Sequence, residues 1–322
     1  MVLTVEPKLD VYLDGLLGQC QESNVPNWLQ PLRQKAASQL FQSRFPSKQD
    51  EEWRFTDLSE LLQVNFRLAG KVAVPPDPLA SFALAEAAHS RLVFVNGIYA
   101  PELSDVSRLP DGIYVGNLAN LDVSQNSKIV KYLGQQEGAT EVFAALNTFG
   151  FTDVAVVWTE PNLVVETPIH LLFLSVSGET PTFSQPRALI VAERGSSLTL
   201  IEHYGAIAQG CSDFPANHPY FTNAVTEIWV GENAQVNHSR IQRESGDGFH
   251  LAKSAIAQAR DSRYTCNEIS LGGKLYRHNL AVLQMGEQTD TQLYGLTAIG
   301  GKQVADTHSA VFLTKPYGTV NQ

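Results

Sequence analysis

The chain has 322 residues, 43% apolar and 17% charged, so it can bury a large core and has the composition of a globular protein rather than a disordered one. Its 33 acids against 23 bases leave a net charge of -10, which excludes the basic footprint of a nucleic-acid binder. Cys20, Cys211 and Cys266 are far apart and form no CxxC pair, which excludes a disulfide framework and a four-thiolate cluster held by this sequence alone.

The first residues, MVLTVEPKLDVYLDG, carry acids where a secretory signal needs a basic flank and an apolar core, and no apolar run approaches the roughly 18 residues of a membrane span. The expectation is a cytoplasmic protein without a membrane partner, or a stromal one if the source has plastids. Residues 1–150 read as a mainly helical amino-terminal domain. From Asn27, apolar Leu29, Leu32, Ala36 and Leu40 recur at three and four with Pro31 in the first turns, which predicts a helix ending before Pro46. Asp57 with Glu60 three residues on has capping-box spacing and predicts a second helix start. Between them, QDEEWRFTD alternates Trp53, Arg54 and Phe55 as an extended segment does, with both rings expected to pack the helical cap onto the rest. The alanine-rich stretch 78–89 is a further helix candidate, and LVFVNG (92–97) reads as a strand entering a turn.

From residue 151 to 322 the pattern is short strands. Residues 151–159, 163–166, 170–175, 187–192 and 198–204 are β-branched or aromatic runs bounded by Gly, Pro, Asn or Ser. AQVNHSRIQ (from Ala234), SRYTCNEIS (from Ser262) and TDTQLYGLT (from Thr289) then align with Ile241, Ile269 and Leu296 equivalent, while LGGK at 271–274 returns as IGGK at 299–302. A fixed period of this size without intervening helices predicts a β-solenoid, with an antiparallel sandwich as the competing architecture. An open solenoid end needs a cap or a partner, and the helical amino terminus can cap one end.

Catalytic signatures are sparse. GLTAIGGK (295–302) is one residue too long for a phosphate loop and has Gln303 where a hydroxyl is required, so it reads as a solenoid turn. The repeat register makes His238 and Cys266 equivalent positions one coil apart, about 5 Å from each other in a solenoid. A thiol beside an imidazole is chemically suited to iron or persulfide, which makes these two the weak metal candidates; the plain alternative is a small buried thiol stacked on a strand histidine. Cys211, in a loop, is a candidate exposed thiol. A polysaccharide-acting β-helix enzyme would need two carboxylates about 5–10 Å apart on one face. Glu227, Glu232, Glu268, Asp261 and Asp290 offer no pair of the same strand parity one coil apart.

The ordered set EEWRFTDL (51–58), LVFVNGIYAPELS (92–104), PIHLLFLS (168–175), PRALIVAERGSSLTLIEHY (186–204), TNAVTEIWVGENAQVNHSRIQRES (222–245) and TAIGGKQVADTHSAVF resembles the SufB/SufD family of iron–sulfur cluster assembly subunits. EEWRFT and the lack of an amino-terminal CxxC look more like its SufD branch; a SufB-type paralogue is the alternative. The resemblance implies a helical amino-terminal domain, a right-handed parallel β-helix core and a carboxy-terminal helical domain. It implies a non-catalytic scaffold that pairs with SufB through the β-helix and recruits the ATPase SufC, with a homodimer left open. It also implies a transient iron–sulfur cluster and a reduced flavin on the assembled complex, neither held by this chain alone. On this resemblance Gln322 falls inside the β-helix, short of the SufC-binding region and of the family's late cysteine and histidine. Leu313 and Val320 stand where relatives tend to have histidine and serine, which departs from the family pattern.

Overall fold

The structure, a computed structural model, describes residues 10–20, 27–75, 77–121, 128–136, 138–208 and 218–322; Cys211 lies outside the described residues. Helices α1 (Val11–Cys20), α2 (Gln30–Leu40), α3 (Ser59–Leu62) and α4 (Val142–Gly150) belong to the amino-terminal part, which also contains strands β1 (Arg67–Leu68), β2 (Arg91–Val95), β3 (Ile98–Tyr99) and β4 (Ile113–Asn117). The strands continue as β5 (Ala155–Thr159), β6 (Ile169–Ser177), β7 (Thr182–Ser184), β8 (Arg187–Ala192), β9 (Ser197–Ala208), β10 (Tyr220–Val230) and β11 (Gln235–Arg243). Then come β12 (Gly248–Gln258), β13 (Arg263–Ser270), β14 (Leu275–Gln284), β15 (Asp290–Thr297), β16 (Val304–Leu313) and β17 (Thr319–Asn321).

Alternate strands enter two different sheets. One runs β16-β14-β12-β10-β8-β5-β4 and the other β17-β15-β13-β11-β9-β6-β2-β3. The ladders from β5 and β6 onward are parallel, so the core is a parallel β-helix and the antiparallel sandwich is excluded. The pairs Gln235↔Arg263, Arg263↔Asp290 and Asp290↔Thr319 set coil offsets of 28, 27 and 29 residues, and Ile241, Ile269 and Leu296 stack as the repeat predicts. One corner repeats its backbone as well. Asn162, Gly195, Asn233, Asp261, Gln288 and Tyr317 all have positive φ, and the N–H groups of Asn162, Gly195, Asn233, Asp261 and Gln288 each donate to a carbonyl of the next coil. Asn, Asp and Gly tolerate that left-handed conformation best, which is why turn signals recur at this spacing.

Strand parity divides the side chains. Leu171, Phe173, Leu198, Leu200, Ile228, Val236 and Ile256 fill the interior of the helix. The outer face of the first sheet is also apolar, with Phe183, Phe221, Phe249, Leu251 and Leu275 buried against Leu13, Leu16 and Leu17 of α1 and Phe143 and Leu146 of α4. The second sheet presents Leu172, Leu174 and Val176 outward against Val74, Leu79 and Phe82. Parallel sheets require cover on both faces, and the amino-terminal segment supplies it.

Several local expectations change. The predicted helix from Asn27 begins as a 3-10 turn, Asn27–Leu29, before α2. The capping box does not close: Asp57 accepts the Ser59 N–H at 2.9 Å, but Glu60 turns outward to Lys274 at 2.6 Å, and α3 lasts one turn. Residues 78–89 form two 3-10 turns, Asp77–Phe82 and Ala85–Ala87, because Leu79 and Phe82 must both reach the sheet. Residues 163–166 contribute only the isolated bridge Val164↔Ser197. In EEWRFT, Glu51–Trp53 is a 3-10 turn rather than an extended run. Trp53 does lock the cap, with the Arg277 guanidinium 4.0 Å from its ring centre, whereas Phe55 is 77% exposed and locks nothing.

Candidate functional site

The interior of the later coils is not uniformly apolar. In β11 and β13, inward positions read Val236, His238, Arg240, Gln242 and Tyr264, Cys266, Glu268, Ser270; all of these are buried. Register stacks them in rows: Leu200, His238, Cys266 and Leu293 in one, Glu202, Arg240, Glu268 and Gly295 in the next. The predicted His238–Cys266 pairing is therefore present, with both residues sealed at 0% and 1% exposure.

His238 is held on every side. Its Nε2 lies 3.0 Å from Glu202 Oε2 and its Nδ1 2.9 Å from Tyr264 Oη, and Cys266 stacks beside it one coil on. Burial alone would pull the imidazolium down, but the hydrogen bonds and charges of Cys266 and Glu202 outweigh it and hold the pKa at about 9. Burial likewise pushes Glu202 up, and His238 and Arg240 reverse this to bring it down to about 2. The pair is an imidazolium carboxylate at neutral pH, with the Cys266 sulfur beside it.

Arg240 extends the network. Its Nε is 3.4 Å from Glu202 Oε1, its Nη1 donates to Tyr276 Oη at 2.6 Å, and its Nη2 is 2.8 Å from His250 Nε2. Tyr276 donates in turn to Glu268, whose Oε2 is 3.0 Å from His278 Nδ1, and His278 Nε2 is 2.9 Å from Ser254 Oγ. His250 Nδ1 lies 2.6 Å from Glu244 Oε2. Burial opposes ionisation of Glu268, yet His278, Arg240 and Tyr276 hold its carboxyl far below the usual range, while burial drives the phenols of Tyr204, Tyr264 and Tyr276 up.

Chemically the site offers one thiol, one imidazolium and a continuous set of proton donors and acceptors. Among the described residues, no three His, Cys, Asp or Glu side chains are arranged to hold a metal ion. The carboxylates considered for sugar chemistry are dispersed: Glu227 faces outward and pairs with Arg187, Glu268 faces inward, and Asp290 accepts from Thr319 Oγ1 at 2.6 Å. Sequence reasoning missed Glu202, Arg240, Tyr276 and His250 as members of this network, whereas His278, which the repeating half groups with His238 and Cys266, does join it through Glu268. The register that paired His238 with Cys266 also pairs Arg240 with Glu268, so that part of the signal was present.

Two family models match, the SufBD protein N-terminal region over residues 18–171 and the SUF system FeS cluster assembly, SufBD core domain over residues 173–322. The chain is 50% identical to an iron–sulfur cluster assembly SufBD family protein of Synechocystis sp. over 290 residues, 90% of this chain and 64% of that protein. It is 30% identical to the chloroplastic protein ABCI7 of Arabidopsis thaliana over 318 residues, covering 96% and 64%. With the iron–sulfur cluster assembly protein SufD of Escherichia coli it shares 26% over 283 residues, covering 87% and 62%. The chain thus spans a little under two thirds of the length of these relatives.

Proposed function

The chain belongs to the SufB/SufD family of iron–sulfur cluster assembly proteins, and from that premise we propose that it is a SufD-type scaffold subunit that pairs with SufB and SufC. The observation that carries this reading is the interior of the β-helix. Cys266 is the one thiol among the described residues of the coils, and it is buried one coil from His238, which Glu202 and Tyr264 hold in place. Such a core fixes the stacking of coils and the shape of a surface; a cluster would form on it only together with a second chain that adds ligands. The SufD assignment over a SufB-type paralogue draws support from relatives named SufD in two bacteria and from Trp53, which ties the amino-terminal cap to β14 through Arg277. In this reading the chain supplies no turnover of its own, the ATP-driven step lies with SufC, and the cluster is cargo. No helix among the described residues is long and apolar enough to cross a membrane.

Co-purification tests the proposal. Tagged full-length protein expressed with SufB and SufC of the same source retains both through size exclusion, and loss of the tagged subunit lowers cluster content of a reporter ferredoxin. Full-length protein that retains neither partner overturns it.

A further inference from the structure

On the outer face of the second sheet, His170 on β6 and His203 on β9 stack with ring centres 5.5 Å apart and planes inclined by 26°. They are 0% and 2% exposed, and none of their four ring nitrogens meets a hydrogen-bonding group among the described residues. Buried polar atoms without partners are rare in folded proteins and mark places where something is held at a cost. The cover over His203 is the segment Asp77–Phe82: the Phe82 ring lies 5.5 Å from the His203 ring, edge on, Leu79 and Phe82 are both buried against the sheet, and His170 lies next beneath across the ring stack. Gly205 makes the contact feasible, because a Cβ there would sit 2.2 Å from the Phe82 ring. Arg243 of β11 closes the outside, its guanidinium 5.6 Å from the Phe82 ring centre and its Nη1 3.4 Å from the Ser81 carbonyl.

We propose that Asp77–Phe82 is an acid-released strap, closed over an uncharged histidine pair and opened when that pair takes up protons. The charges facing the pair are all positive. Arg91 of β2 acts on His170, and Arg243 of β11 acts on His203. The strap's only acid, Asp77, is exposed, and the Asp105 carboxylate near β2 is engaged by His89 at 2.7 Å. A protonated ring therefore finds neither water nor a counter-charge. Burial, followed by the neighbouring histidine and arginines, draws His170 down to about 3 and His203 down to about 4. Once the strap lifts, both return to about 6.5. The closed form binds fewer protons, so closure is complete above about pH 6.5 and weakens as pH falls towards the closed-state values. Each histidine multiplies the opening equilibrium by up to about tenfold per pH unit in that range, and the pair by up to about a hundredfold.

Hydrogen exchange on the whole chain between pH 7.5 and 4.5, corrected for intrinsic rates, reads the opening directly. Peptides spanning residues 77–90 are expected to lose about one to two decades of protection per pH unit below 6.5 while β11 and β13 stay protected. The slope is expected to halve in His203→Gln and to flatten in His170→Gln/His203→Gln. Flat protection in the wild type, or an unchanged slope in the double variant, overturns the proposal. An NMR titration of assigned wild-type imidazoles needs no variant: His170 and His203 both titrating near 6.5 with the strap still protected also overturns it.

Discussion

Arg240→Met removes the central cation of the interior network while keeping a side chain of similar length. The guanidinium is 1% exposed and sits between two carboxylates, with direct contacts to Tyr276 at 2.6 Å and His250 at 2.8 Å and its carbon 4.7 Å from the Tyr204 ring centre. Hydrogen bonds to a buried charge contribute about 1.5–3 kcal/mol each. Two are lost; the methionine's apolar burial returns about 1.5 kcal/mol or more. Glu202 keeps His238 and Thr226, and Glu268 keeps His278 and Tyr276, so neither carboxylate is stranded outright. The expected loss is about 1.5–4.5 kcal/mol, whose upper part overlaps the cost of about 3–5 kcal/mol for removing one partner from a buried ion pair. Urea unfolding followed by tryptophan fluorescence and by far-ultraviolet circular dichroism measures it, two probes being needed because stacked coils can unfold in stages. Arg240→Met/Glu202→Gln is expected to cost about 1–2 kcal/mol less than the sum of the single changes, since the two residues share a network. A loss under about 1 kcal/mol for Arg240→Met, or strict additivity of the pair, would show that the coils stack on apolar contacts alone and refute the reasoning.

The same network sets a pH window. His238, raised to about 9, contributes stability that is complete below its unfolded value near 6.5 and disappears as pH rises through 9, and Glu202, lowered to about 2, contributes above about 4.5 and is lost as pH falls through 2. A stability profile that rises continuously from pH 6.5 to 9 contradicts this assignment. Trp53→Ala should destabilise by about 2–3 kcal/mol by stripping the ring from Arg277 and Phe143, while Phe55→Ala, at an exposed position, should change stability by less than about 0.5 kcal/mol; equal effects in thermal unfolding would be inconsistent with the structure. Gly272→Ala places a Cβ 2.2 Å from the Glu244 carbonyl oxygen of the preceding coil and should cost about 2 kcal/mol or more, a result that wild-type stability in the variant would exclude.

The repeat was legible because coil stacking obliges equivalent residues to recur at nearly constant spacing, and Ile241, Ile269 and Leu296 recur with it. The first coils were harder to read. Between β9 and β11 the register jumps from Ser197 to Gln235, and that extra length hides the period. In the amino-terminal part, local propensity lost to tertiary demand: alanine-rich residues 78–89 have helical composition, but Leu79 and Phe82 are pulled onto the second sheet and only 3-10 turns remain. The His238–Cys266 pair was visible in the aligned repeats. The charged neighbours were less so, because Glu202 precedes the clear repeat and Tyr276, His250 and His278 arrive from the opposite sheet, whose facing cannot be inferred from one strand's alternation.

The row Glu202, Arg240, Glu268 has a consequence for how such a chain can change its length. Repeat proteins commonly grow by copying a unit, and an apolar row tolerates any copy. Here a duplicated coil sets arginine on arginine or glutamate on glutamate in a space closed to water, and deletion of the Arg240 coil brings Glu202 against Glu268. A single copy of any of these three coils, or loss of the Arg240 coil alone, is therefore disfavoured, whereas loss of the Glu268 coil sets Arg240 against Gly295 and brings no like charges together.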